Sequence, residues 1–322
     1  MSLYRYNYIN EYLKNKFGER TLKICVDGNF TCPNRDGTKS SLGCIFCSQK
    51  GSGDHIKYSS IENQIKNYFS SYKSERANKF IVYFQNFTNT YDTVENLKIK
   101  YDQALIDDRI VGLEVATRPD CINEDICKLL AFYKENYYVS VELGLQTVNE
   151  NIGTIINRCY TNDDFINAVN MLKKYDIPVV SHIMVGLPNE TFEDIKNVVD
   201  FINNMNISGI KIHSTYVIKN TILNKMYENK EYIPIELDYY LDMLEYIITH
   251  INKNIIIHRL SGDAPKDLLV APDWNLHKKW ILNGINKRLK EKNLYQGIYY
   301  DGKIIKWNKK KKTARLEQSF MR

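Results

Sequence analysis

Seven short runs rich in β-branched and aromatic residues recur along this chain, and amphipathic helical patterns separate them. The runs are 21–26, 80–85, 110–116, 138–143, 179–184, 210–213 and 254–260. The helical patterns cover 61–72, 93–105, 123–133, 163–175, 191–204 and 236–251. Alternation of this kind predicts βαβ units and a parallel sheet. Helix starts support it: Asn162-Asp163-Asp164 opens one helix, and Thr191 with Asp194 three residues on forms a capping-box pattern. Six or seven β–α steps without a nucleotide-type glycine loop favour a barrel or partial barrel over a doubly wound sheet. Sites in such barrels gather at the C-terminal strand ends.

At 322 residues, 43% hydrophobic and 12% aromatic, the chain can bury a full core, which excludes extensive disorder. No stretch approaches the roughly 18 apolar residues of a membrane span, and the N-terminus lacks a signal-peptide core. A cytoplasmic protein is expected. Thiols stay reduced there, so the seven cysteines argue for ligand or buried roles and against a disulfide framework.

Three cysteines stand close together after the first strand, in the loop Cys32-Pro33-Asn34-Arg35-Asp36-Gly37 through Gly43-Cys44-Ile45-Phe46-Cys47. A glycine- and serine-rich loop can wrap a metal cluster held by thiolates. Three thiolates on a cubane leave one iron open to a further ligand. The spacing also allows zinc, with His55 as a fourth ligand. Cys25 sits inside a strand pattern and reads as a buried structural thiol. Cys121, Cys127 and Cys159 are scattered and read as small buried hydrophobes.

The cluster loop resembles that of the YhcC/YtqA-type radical S-adenosylmethionine (SAM) proteins, a family related to the radical SAM domain of the Elongator catalytic subunit. The likeness runs from about residue 20 to 290. Its further landmarks are Tyr83 to Thr90, Ala116-Thr117-Arg118-Pro119-Asp120, Val141 to Thr147, Asn157-Arg158, Ser181 to Pro188, and Arg259 to Asp263. The resemblance implies a partial (β/α) TIM-like barrel of the α/β class. It implies a [4Fe-4S] cluster on Cys32, Cys44 and Cys47, with Cys25 outside the ligand set. It also implies S-adenosyl-L-methionine as second cofactor, cleaved to a 5′-deoxyadenosyl radical.

The same resemblance assigns further roles. Phe46 lies by the adenine. Gln85, Thr88 and Asn89 belong to the segment that receives the SAM amino group. Gln146 pairs with the ribose, and Arg158 clamps the SAM carboxylate. One departure stands out: Ala116 replaces the glutamate of the Elongator-like pattern, and Glu114, two residues earlier on the same strand face, is the nearest substitute.

Other polar residues keep two readings. Glu142 contacts SAM or substrate, or pairs with an arginine such as Arg118. His182 and His213 bind substrate near the barrel mouth, or make core hydrogen bonds. Asp263 lines the substrate pocket or caps the next helix.

The formal net charge of +6 is concentrated at the C-terminus, where residues 285–322 hold 12 Lys/Arg against 3 Asp/Glu. Asp301-Gly302 predicts a hairpin turn, followed by the basic run Lys309–Lys312. The expected organisation is an N-terminal helical segment over 1–20, a barrel over 21–290 and a small basic extension over 291–322. Basic and aromatic residues together suit RNA, so tRNA, modified at a wobble-uridine-type position, is the expected substrate. A small metabolite or peptide, or a zinc-stabilised nucleic-acid-binding module, are the alternatives. An electron donor such as flavodoxin or ferredoxin is the expected redox partner, and no membrane association is expected.

Overall fold

A computed structural model describes residues 4–51 and 59–302. Seven parallel strands form one curled sheet in sequential order: β1 (Thr21–Val26), β2 (Lys79–Phe84), β3 (Ile110–Thr117), β4 (Tyr138–Gln146), β5 (Val179–Val185), β6 (Gly209–Ser214) and β8 (Ile256–Arg259). Between the last two lies β7 (Val217–Ile218), which pairs antiparallel with β9 (Leu269–Ala271) at the barrel mouth. The sheet is a partial (β/α) barrel, as expected. The last strand starts two residues late because Ile255 is still turning, its N–H bonded to Asn252 O at 3.0 Å.

The helices are α1 (Ile9–Phe17), α2 (Ile61–Phe69), α3 (Val94–Asp102), α4 (Glu124–Lys134), α5 (Glu150–Ile155), α6 (Asn162–Lys174), α7 (Phe192–Met205), α8 (Ile222–Glu228), α9 (Leu237–His250) and α10 (Lys278–Glu291). Helix α2 stops three residues before the expected end because Ser70 and Ser71 turn their hydroxyls back onto Lys66 O and Tyr68 O. Capping boxes start α6 and α7, the first from Thr161 with Asp164, one residue ahead of the expected start, the second from Thr191 with Asp194.

Alternation along each strand sorts side chains into two environments. Ile24, Val82, Phe84, Leu113, Val115, Val141, Leu143, Ile183, Ile210 and Ile212 face the helices and form the main core. Each such fully buried side chain contributes about 1.5–3 kcal/mol. On the inner face, α1 closes the bottom: its Ile9 and Leu13 pack on Ile81 of β2 and Ile256 of β8. Above that apolar floor the inner face turns polar, which is where the chemistry can begin.

The start of the expected C-terminal extension is docked on the barrel. Gln296 donates to Asn252 O and Ile255 O at 2.9 and 2.8 Å and accepts from the Asn7 N–H at 2.8 Å. Residues 295–298 turn here and do not form a hairpin arm. Lys309–Lys312 lie outside the described residues.

Candidate functional site

The loop after β1 carries Cys32, Cys44 and Cys47 to the C-terminal strand ends, and all three are free thiols at partly exposed positions. The Cys44 thiol hydrogen-bonds that of Cys47, and Cys32 stands near them. That bond, with Arg35 adding to it, holds Cys47 below the ordinary thiol range. The same bond and burial push Cys44 up. Asn34 fixes the loop by donating to Asn157 O at 2.5 Å and to Cys44 Sγ at 3.6 Å. Asn157 answers by donating to Gly43 O at 2.7 Å. The expected Asn157-Arg158 landmark therefore holds the cysteine loop through its asparagine. Among the described residues, no group of three or more His, Cys, Asp or Glu side chains is arranged to hold a single metal ion. His55 lies outside the described residues.

Two further cysteines border this loop, contrary to the scattered, buried reading. Lys39 of the loop pairs at 2.8 Å with Asp120, next to Cys121, and donates to Cys159 O at 3.4 Å. Of the three, only Cys127 is buried. Folding brings the loops after β3 and β4 against the cysteine loop, a proximity that sequence spacing does not carry.

The turn after β2 runs beside the same loop. Gln85 N–H bonds Val26 O at 3.3 Å, and Thr88 N–H bonds Thr31 O at 3.2 Å. Asn89 Nδ2 is spent on Ala116 O at 2.7 Å and Phe84 O at 3.2 Å. What remains is informative: Asn86 Oδ1, Thr88 Oγ1 and Asn89 Oδ1 are all buried without a hydrogen-bond partner. Three orphaned oxygens within four residues are costly unless a donor meets them.

Gln146, at the end of β4, has a left-handed backbone with φ 58°. Its Oε1 accepts from Tyr160 OH at 2.5 Å. Glycine at 144 makes room, since a Cβ there would sit 2.6 Å from Gln146 Nε2 and 2.9 Å from Tyr160 OH. Phe46 packs into a small apolar cluster at the mouth that includes Ile156, Leu187 and Met184.

Arg158 is spent differently from the expected carboxylate clamp. It is 1% exposed. Its Nε donates to Tyr160 O, Nη1 to Leu145 O and Thr147 O, and Nη2 to Glu150 and Asn162. A guanidinium has five N–H donors, and these five bonds use them all. Arg118 is likewise engaged, with a bidentate pair to Asp120 at 2.9 Å and bonds to Arg158 O and Cys159 O.

Deeper in the barrel lies a charged layer. Glu142 of β4 accepts from Lys211 Nζ and from His182 Nε2, each at 2.7 Å. Lys211 also reaches Tyr83 OH at 2.8 Å. Lys23 pairs with Glu114 and lies 3.4 Å from Glu142. Glu142 therefore takes lysine and histidine partners, not Arg118. Glu114 sits one layer below Ala116, held by Lys23, and does not reach the strand end where a glutamate at 116 would stand.

Burial opposes the charge on Glu142, but Lys211 and Lys23 hold its carboxyl well below the usual range. Burial lowers Lys211 to about 8 and His182 to about 4, and pushes His213 well down. The His182 and His213 rings lie 5.1 Å apart. Cys25 is exposed on this inner face, so the buried-thiol reading fails. Lys23 of β1 and Lys211 of β6 carry no distinguishing mark in the sequence, because an inward polar position alternates with apolar neighbours just as a solvent-facing one does. Ile210 and Ile212 flank Lys211 as apolar neighbours flank Glu142, and that pattern does not settle which face it takes.

Asp263 is an ion-pair acceptor for both Arg259, at 3.0 Å, and Lys278. It caps no helix. Among the described residues no helix is long and apolar enough to cross a membrane.

Comparison with known proteins fits this geometry. Residues 37–202 match the radical SAM superfamily model and residues 207–291 the radical SAM C-terminal domain. YtqA of Bacillus subtilis is 38% identical over 305 residues, covering 92% of this chain and 93% of that protein. A tRNA uridine(34) acetyltransferase of Methanocaldococcus jannaschii is 30% identical over 166 residues, half of this chain and 30% of that one. The Elp3 structure of Methanocaldococcus infernus shares the fold, with TM-score 0.63 at 19% identity over 86% of this chain and 64% of that one. The chain is a radical SAM enzyme and belongs to the radical SAM superfamily, within it to the YhcC/YtqA family related to Elongator.

Proposed function

We propose that Cys32, Cys44 and Cys47 hold a [4Fe-4S] cluster and that SAM lies beside it across the strand ends. One observation carries this reading: a loop with three free thiols adjoins a turn with three orphaned, buried oxygens. That donor set suits a thiolate-held cluster, and those acceptors suit an ammonium. When bound, the cluster supplies an electron to SAM, giving a 5′-deoxyadenosyl radical.

The chain's own residues bind, orient and exclude water. Thr88 and Asn89, with the backbone at Gln85, receive the SAM amino group. Phe46, backed by Leu187 and Met184, gives the adenine an apolar wall. Gln146 faces the ribose, steadied by Tyr160. Arg158 acts as a positioning residue, tying the Leu145–Thr147 turn to α5 and α6. The charged layer around Glu142 forms the floor on which a substrate is fixed.

The substrate we infer is tRNA. The partial likeness to a tRNA uridine(34) acetyltransferase supports it, as does the basic C-terminal region. Electrons come from a donor such as flavodoxin or ferredoxin, for which the exposed cysteine loop, with Leu42 70% accessible, offers a landing place. The test is anaerobic incubation with SAM, reductant and total tRNA, followed by nucleoside mass analysis against Cys44→Ala. A new nucleoside made only by the intact protein is expected. An unchanged nucleoside profile alongside SAM cleavage would remove tRNA and leave a small metabolite or peptide.

A further inference from the structure

The basic residues of α10 fall into two groups. Towards its C-terminal end Arg288 is consumed by α9, pairing with Asp238 and Asp242; Lys287 pairs with Glu291 within α10, and Lys292, just past the helix, pairs with Glu245 of α9 at 2.8 Å. Near the barrel mouth the pairing is incomplete. Arg259 and Lys278 converge on the single carboxylate of Asp263, leaving one positive charge uncompensated. Lys279 beside them is exposed, and no carboxylate among the described residues pairs with it.

An aromatic platform stands at the same first turn of α10. Trp280 is 54% exposed. Its ring stacks on exposed His277, with centroids 4.0 Å apart and planes 18° from parallel. A large aromatic surface left in water beside unmatched cations is unfavourable for the isolated chain and complementary to a base next to a phosphate. An acidic protein would use the cations and leave the stacked rings idle.

The patch leads into the site. Arg259 ends β8, and its charge acts on His182, His213, Lys211 and Cys25 inside the barrel. A strand of RNA lying on Trp280 with its phosphates on Lys279, Lys278 and Arg259 therefore enters at the end of the barrel where the cysteines lie.

We propose that His277, Trp280, Lys278, Lys279 and Arg259 form an RNA-docking surface that stacks a base and holds flanking phosphates at the barrel mouth. The proposal rests on the tRNA reading above and moves the main contact from the C-terminal run to α10.

The experiment measures anisotropy of a labelled, unmodified tRNA transcript with the full chain at several salt concentrations. Trp280→Ala should weaken binding by roughly 5- to 150-fold, the range set by losing one base stack. Lys279→Ala should lower the salt slope by about 0.7–0.9. Both side chains are exposed, so unfolding midpoints should match the parent and show that the variants fold. Parent-like binding by both variants, with binding lost in a chain ending at residue 302, would overturn the proposal and keep tRNA as ligand. Variants that keep tRNA affinity but lose flavodoxin binding would make the patch a protein-docking face. No tRNA binding by the full chain would end both this proposal and the tRNA reading.

Discussion

Glu142 and Lys211 meet at 2.7 Å in the middle of the barrel, and both are buried. They come from strands separated by β5, and the curl of the sheet brings them together across it. Removing one partner of such a pair strands the other's charge. Glu142→Ala should therefore cost roughly 3–5 kcal/mol of stability, and Glu142→Gln less because the amide still accepts a hydrogen bond. Urea unfolding of the two variants checks this. Equal stability of parent and Glu142→Ala would refute a buried, mutually compensating layer.

The same layer sets the acid sensitivity of the fold. Burial lowers His182 from 6.5 to about 4, so below pH 6.5 the unfolded chain takes up a proton that the folded chain does not. Stability must then fall as pH drops from 6.5 towards 4. From pH 7 to 5 this one residue accounts for about 2 kcal/mol. Glu142 acts in the same direction at lower pH, since its contribution is present above 4.5 and lost as pH falls through its lower folded value. His182→Gln should flatten the slope between pH 7 and 5, read as urea midpoints at both values.

Arg158 gives a prediction that separates positioning from ligand binding. A lysine offers three donors in place of five and cannot reproduce the planar fork. Arg158→Lys should leave at least two buried acceptors unmet and lower stability by about 2–4 kcal/mol. A residue that served mainly as a SAM clamp would show the reverse: weakened SAM binding by calorimetry with unfolding unchanged.

The strands and most helices were legible because alternation and capping act over a few residues. Thr21–Val26 was read to the residue, and the Thr191–Asp194 capping box was visible as a pattern. The family resemblance placed the cysteine loop and the strand-end turns in order. What stayed hidden depends on register and curvature. Lys23 and Lys211 have no local mark of burial; the sheet's curl turns them inward. Glu142 stands out in the sequence, but its ion-pair reading offers an arginine such as Arg118 because nothing local points to Lys211, 69 positions away. Cys121 and Cys159 looked isolated because the loops after β3 and β4 approach the cysteine loop only in the folded barrel. Helix α10 was missed because Gly284 weakens its pattern.

The most direct test of the account is the metal content and SAM chemistry of the anaerobically purified protein. The account predicts a brown protein with about four irons per chain, reductive cleavage of SAM to 5′-deoxyadenosine, and loss of both in Cys32→Ala, Cys44→Ala and Cys47→Ala but not in Cys25→Ala. A colourless protein with one zinc per chain and no SAM cleavage would contradict it.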